Sequence, residues 1–306
     1  MTRARRFAVA ATLLVCGCKP DFGTPASLVT ERRILAVRAQ PPEVRPTEPA
    51  DFTALVVSPE GRVASPALDW SLCVTPKPLD ENNVVSSACL SDAGVMAVAA
   101  ATPAATATVP ANACALFGPD PPPQMMGQPP LRPRDPDVTG GYYQPLRLVD
   151  GAVTGFALER VTCDLAQAGA DLAVQYGMTY HANANPSLTP LSATANGAAV
   201  VLTALPAGQT IDFNVGWPAD SVESFPVFDV NAAALVPHRE SMRVSWFASA
   251  GSFTHEVTGR DEGDPATTTD NQWRAPSAPG AVHLWVVLRD SRGGVDFAGY
   301  ELEVTP

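Results

Sequence analysis

Few residues in this chain are spaced for chemistry. Four histidines, His181, His238, His255 and His283, stand singly. There is no Gly-x-Ser-x-Gly elbow, the sharp turn that presents a nucleophile to its base. His255-Glu256 begins like a zinc-protease motif, but Gly259 stands where the second His should be. Neither common Gly-rich phosphate loop occurs. A glycosidase-type carboxylate pair meets only in a fold and has no sequence signature. The acidic stretch around Asp261, Asp264 and Asp270 offers clustered carboxylates and carbonyls of the kind Ca²⁺ takes. Its spacing is not that of an EF-hand, and a solvated acidic loop explains it as simply.

Six cysteines carry the remaining chemistry. Cys16 and Cys18 lie behind a leader. Arg3, Arg5 and Arg6 form a basic start, and Phe7 to Val15 follows as an apolar run. That run is too short for a bilayer span, which takes about 20 residues, but suits a signal peptide. It ends in Val15-Cys16-Gly17-Cys18, which resembles a bacterial lipobox: an aliphatic residue, a small residue before the cut, then the cysteine to be lipidated. The resemblance implies cleavage after residue 17, a lipid on Cys18, and a membrane partner reached through that N-terminal lipid. Cys73, Cys89, Cys114 and Cys163 remain, an even number in an oxidising compartment. Two disulfides are expected, with all three pairings open. None of the four has zinc-ligand spacing.

Composition narrows the partners. The net charge is −11, and removing residues 1–17 takes away three arginines and no acid. A chain this acidic does not neutralise phosphates, which argues against nucleic acid and against a basic membrane-surface patch. Lys19 and Lys77 are the only lysines. The preference for arginine reads as genome base composition.

The elements are short strands between turn signals. Phe52, Ala54 and Val56 share one face of Asp51 to Val57, Pro59-Glu60-Gly61 is a turn, and Leu68 to Cys73 alternates around Trp70. The second half repeats this with strands at Ala199–Leu202, Thr210–Val215 and Met242–Ala248, the last carrying Trp246. Ala281 to Leu288, the turn Asp290 to Gly294, and Val295 to Val304 form a closing hairpin. A Trp on the third strand, packed between sheets, marks immunoglobulin sandwiches. Trp246, Trp273-Arg-Ala-Pro276, Pro279-Gly280, Val282 to Leu288 and Asp290 to Gly294 resemble the immunoglobulin-like and PKD-like modules of bacterial surface proteins. The first half lacks the Trp-x-Ala-Pro and Asp-x-x-Gly-Gly signals.

The expected architecture is therefore mainly β: two immunoglobulin-like β-sandwich domains after a cleaved lipoprotein signal peptide. Residues 1–17 are the leader and 18–30 a lipidated polar tether. The first sandwich covers 31–163, with a Pro-rich insertion at 117–138 whose proline density forbids helix interiors and central strands. A connector, 164–182, precedes the second domain at 183–306. Within it Leu165, Ala168, Leu172 and Tyr176 suit a short helix capped by Asp164 and stopped at Gly177, although Leu172 to Tyr180 also alternates as a strand would.

The function expected from these readings is non-enzymatic: a lipid-anchored envelope protein serving as a binding or scaffold module, without a cofactor unless calcium binds. The partner would be a protein or a surface glycan. The alternatives are an accessory subunit of an envelope secretion, transport or surface-assembly complex, and an enzyme whose carboxylates meet only in the fold. Partner-binding candidates are Phe225 and Phe228, in a long loop from Pro218 to Glu240 that is too broken to read as strand, and Asp290 and Arg292 at the final turn. Both loops belong to one end of an immunoglobulin-like sandwich. The two phenylalanines could equally fold back to cap the core.

Overall fold

The computed structural model describes residues 23–78, 81–101, 103–118, 126, 141–163, 165 and 168–306. The leader, Cys18 and nearly all of the Pro-rich stretch lie outside these residues. Among the described residues no helix is long and apolar enough to cross a membrane.

Two groups of sheets follow one another. The first contains β1 (Arg33–Gln40), β2 (Glu43–Val44), β3 (Pro49–Ser58), β4 (Gly61–Arg62), β5 (Leu68–Cys73), β6 (Val95–Ala97), β7 (Ala100–Ala101), β8 (Ala104–Thr108), helix α1 (Ala113–Phe117), β9 (Gly141–Asp150) and β10 (Val153–Thr162). Helix α2 (Ala170–Thr179) connects it to the second group. That group contains β11 (Ser192–Ala195), β12 (Ala198–Ala199), β13 (Leu205–Pro206), β14 (Thr210–Gly216), β15 (Ser224–Asp229), β16 (Ala234–Arg239), β17 (Met242–Ala248), β18 (Ser252–Phe253), β19 (Val257–Arg260), β20 (Thr268–Arg274), β21 (Gly280–Asp290) and β22 (Val295–Thr305).

The sheet orders are the same in both halves. One sheet runs β1-β3-β8-β7 and the facing one β2-β10-β9-β5-β6. In the second half the counterparts are β11-β14-β20-β18, with β12 at the edge, and β13-β22-β21-β17-β19. In each half the chain begins antiparallel to its second long strand. It then crosses to the other sheet and pairs parallel with the last strand, Arg160 against Glu43 in one case and Val304 against Leu205 in the other. A four-strand sheet facing a sheet of the third, sixth and seventh strands is the immunoglobulin arrangement. The first half keeps this order without the turn motifs of the second.

Alternation places each core. Phe52, Ala54 and Val56 of β3 pack with Trp70 and Leu72 of β5 and Leu146 and Leu148 of β9. In the second sandwich Phe213, Trp246, Trp273 and Leu284 play the same part, and the Phe213 ring lies 6.4 Å from Trp246 and 5.9 Å from Trp273. The disulfides are Cys73–Cys89 and Cys114–Cys163, with Cα atoms 5.4 and 5.8 Å apart, within disulfide reach. The first ties the end of β5 to the following 3₁₀ turn, and the second ties α1 to the residue after β10.

The end of the tether is docked: Val29 is buried, and Val29 N and Ala248 N donate hydrogen bonds of 2.9 Å each to Ala248 O and Ser27 O. Three expectations are corrected. Of Ala199–Leu202 only Ala199 is strand, within β12. The connector is helical, but it starts after Gly169 and runs through Gly177 to Thr179, while Asp164 lies outside the described residues. The segment 218–240 is no loop. It forms the hairpin β15–β16, with Phe228 paired to Leu235 and Ala233 in the left-handed region at φ 49° in its turn.

Candidate functional site

The two sandwiches meet over a third core. The outward face of β3 supplies Leu55 and Val57, β1 supplies Leu35 and Ala36, and the tether adds Val29. Trp285, Val287 and Val295 answer from β21 and β22. Relative motion is the ordinary state of two linked domains unless the interface is apolar and well packed. Here it is, and Arg38 adds an ion pair to Asp296 at 3.3 Å.

Beside this apolar patch lies a buried polar cluster. Parallel pairing of β2 with β10 puts Glu43 next to Arg160, whose Nε is 3.3 Å from Glu43 Oε2. Glu43 also accepts from Thr162 Oγ1 at 2.7 Å, from the Tyr180 hydroxyl at 2.6 Å and from Asn183 N at 2.9 Å. Arg160 donates to the Tyr143 and Tyr180 hydroxyls, both at 3.3 Å. Its guanidinium lies against the Cα of Gly141, where a Cβ would collide with it. A side chain at this position would have to displace the guanidinium.

Arg292 is the second hub. At 2% exposure it donates to Glu240 Oε1 at 2.7 Å, Glu223 Oε2 at 2.6 Å, the Tyr180 hydroxyl at 3.2 Å and the His181 carbonyl at 2.9 Å. Its guanidinium lies 4.8 Å above the Phe225 ring. Asp290 accepts from Arg292 N at 2.9 Å and Gly294 N at 2.8 Å, which shapes the turn, and Asn183 Nδ2 donates to it at 3.2 Å. Burial raises the Asp290 carboxyl above the usual range. Burial and the neighbouring Asp290 push Glu240 up to about 7, against the pull of Arg292.

The candidates from the sequence thus fall into different places. Phe225, Phe228, Asp290 and Arg292 do come together at one end of the second domain, but all four are buried. Phe228 packs on Leu165 and Tyr176 of the connector, and Phe225 lies under Arg292. Their side chains face the chain's own interior, so a solvent-facing role is corrected for them. Asp264 pairs with Arg260 at 3.2 Å and accepts from Ala266 N, while Asp270 accepts from Asn214 Nδ2 at 2.7 Å. Among the described residues no three His, Cys, Asp or Glu side chains gather as a metal site, so Asp261, Asp264 and Asp270 are not joined as calcium ligands. Cys18 lies outside the described residues.

Sequence reasoning missed Glu43, Glu159, Arg160, Tyr180 and Glu240. One signal was available: Glu159-Arg160 is a charged pair in mid-strand, between Phe156-Ala-Leu158 and Val161. The two side chains point to opposite faces. Arg160 enters the junction, and Glu159 enters the first sandwich on the side of Ala157 and Val161. Carboxylates therefore do meet in this fold. Glu43 and Glu240 are closed off from solvent, each held by an arginine of its own domain, and the polar links between the domains are Arg292 to Glu43 at 4.0 Å and the Tyr180 hydroxyl, which donates to Glu43 and accepts from Arg292.

The strand orders define the chain as a tandem of immunoglobulin-like sandwiches. No protein-family model and no curated protein matches it. Among solved structures, the Yersinia pseudotuberculosis adhesin InvE superimposes with a TM-score of 0.24 at 10% identity, over 89% of this chain and 58% of the adhesin. A chimeric titin Z1Z2–Z1Z2 tandem gives 0.24 at 11% identity, over 90% of this chain and all of that one. Domains 4 and 5 of the S-layer protein SbsC give 0.21 at 12% identity, over 80% and 100%. Scores this low carry no argument about function, and the fold assignment rests on strand order.

Proposed function

We propose that the chain is a non-enzymatic envelope protein, anchored by a lipid on Cys18, whose two sandwiches act as one stiff arm that holds a binding or scaffold surface away from the membrane. Its partner would be an envelope protein or a surface glycan. The observation that carries this reading is the junction. A shared apolar core couples the domains, with Arg292 near Glu43 and the Tyr180 hydroxyl bonded to both, and Ser27–Val29 lie as an added strand segment against Ala248. A tether docked this way fixes how the arm leaves the anchor. The disulfides suit an extracytoplasmic, oxidising compartment.

The test combines fractionation with crosslinking in the native envelope. Wild-type protein should sediment with membranes and carry lipid mass, and Cys18→Ser should be released. Crosslinking should then recover an envelope protein or glycan. A stoichiometric protein complex would favour an accessory subunit of an envelope machine. A Cys18→Ser variant that stays membrane-bound with an unchanged mature mass would sink the anchoring.

A further inference from the structure

At the open edge between β1 and β10, a cavity of about 470 Å³ lies where the first sandwich meets the β21–β22 turn of the second. Ile34, Val37, Phe52, Phe156 and Leu158 give it apolar walls, and Arg289 of β21 lines it as well. Arg289 is half-buried and continues the row of Trp285 and Val287, on the face of β21 that packs against the first domain. Its Nη2 donates to the Leu35 carbonyl at 3.0 Å and its Nη1 to Ser245 Oγ at 3.4 Å. A guanidinium carries five N–H donors, so three have no partner among the described residues. Arg38, Arg160 and Arg292 stand around the same junction and each holds a carboxylate, but Arg289 holds none. Directly across from it on β17 stands Arg243, a second arginine without an ion pair among the described residues. Like charges facing each other on neighbouring strands are unfavourable. Burial with no acid beside it pulls the Arg289 guanidinium below the ordinary arginine value.

We propose that this cavity binds a monocarboxylate with an apolar chain, the carboxylate seated on Arg289 and the chain against the walls. The planar guanidinium presents paired N–H groups that match the two oxygens of a carboxylate. The apolar walls take the chain, as ligand sites generally do, and the volume falls in the usual range of such sites. An alcohol brings no charge to meet the arginine, and an amine brings the wrong one. The proposal goes beyond the envelope-arm reading and stands whether or not the chain is anchored.

Two acidic residues also border the cavity, Asp290 and Glu159. Asp290 projects from the opposite face of β21, where Arg292 N, Gly294 N and Asn183 Nδ2 donate to its carboxylate. The Glu159 carboxyl oxygens are closed off from the surface, and burial, with Glu43 nearby, pushes that group up to about 9, so it holds its proton near pH 7. Neither turns a bare carboxylate toward Arg289.

The experiment is calorimetry near pH 7 on the full chain, made lipid-free by Cys18→Ser, with n-octanoate, n-octanol and n-octylamine as probes. Octanoate should bind one-to-one, at least tenfold tighter than the other two. Arg289→Gln, which removes the charge and keeps a hydrogen-bonding head, should weaken octanoate binding tenfold or more. Leu158 is an exposed wall residue, so Leu158→Glu leaves the fold intact and sets a carboxylate at the cavity. It should weaken octanoate binding to a similar extent. The proposal is overturned if octanoate does not bind, if octanol or octylamine binds as tightly, or if either variant binds octanoate like the wild type.

Discussion

Arg292 and Glu159 represent two opposite fates of a buried charge. Arg292 has every arm occupied, by Glu240, Glu223, Tyr180 and the His181 carbonyl. Removing one partner of such a pair strands the other in low dielectric, so Arg292→Ala should lower stability by about 3–5 kcal/mol. Arg292→Lys should recover only part of this, because an ammonium cannot reproduce the planar fork. Urea midpoints measure both. Glu159 has no partner, and its raised pKa sets the sign of a pH effect. Near pH 4 and below, the carboxyl is neutral in folded and unfolded chains alike. Above an unfolded value of about 4.3 the unfolded chain loses the proton and the folded chain keeps it. The contribution of this group is therefore fully present below that value and is lost as pH rises to about 9, at up to ~1.4 kcal/mol per pH unit. Glu159→Gln should raise the melting temperature most at pH 8–9 and hardly at all near pH 4. Equal shifts at both pH values would contradict this.

At the scale of elements, burial on both faces distinguishes β3 and β21 from their neighbours. Leu55 and Val57 continue the apolar run of β3 on its outer side, and Trp285 and Val287 do the same for β21. Strands covered on one face only alternate, as Thr268 to Arg274 does. The hairpin β15–β16 packs onto α2 through Phe228, Leu235 and Tyr176, so Phe228→Ala should behave as a core truncation and cost about 3–5 kcal/mol. A melting temperature unchanged by Phe228→Ala would return that side chain to the surface. The disulfides constrain different lengths of chain. Cys114–Cys163 closes 49 residues and Cys73–Cys89 closes 16. On loop-closure entropy, replacing the first pair by serines should cost about 4 kcal/mol and the second about 3 kcal/mol. Denaturant titration of the two double-serine variants checks both the size and the order.

For the whole molecule, the third core and the ion cluster predict cooperative unfolding. Hydrogen exchange followed peptide by peptide through a urea titration should show both sandwiches opening together. Leu55→Asp places an unpaired carboxylate at the centre of the shared patch and should separate the exchange into two transitions, with the domain cores individually intact. Two transitions already present in the wild type would mean that the junction does not couple the domains, and the stiff-arm reading would fall with it.

Much of this fold is legible in local pattern. Alternation located β3, β5, β14 and β17, and placed Trp70 and Trp246 inside, because a strand with one covered face must repeat its apolar residues every second position. The closing hairpin was readable from its Gly-Gly turn, and the even cysteine count gave two disulfides but not their partners. The pairing was decided only when β5, α1 and β10 took their places in space. Phe225, Phe228, Asp290 and Arg292 were legible as neighbours but not as buried residues, because what covers them is the connector helix and the other domain, far away in sequence. Buried Glu159 on β10 was the least visible. Whether a mid-strand glutamate faces water, an arginine or an apolar interior depends on which strand lies opposite and what lines the space between. Side-chain types state what each group needs, and long-range packing alone determines whether the need is met.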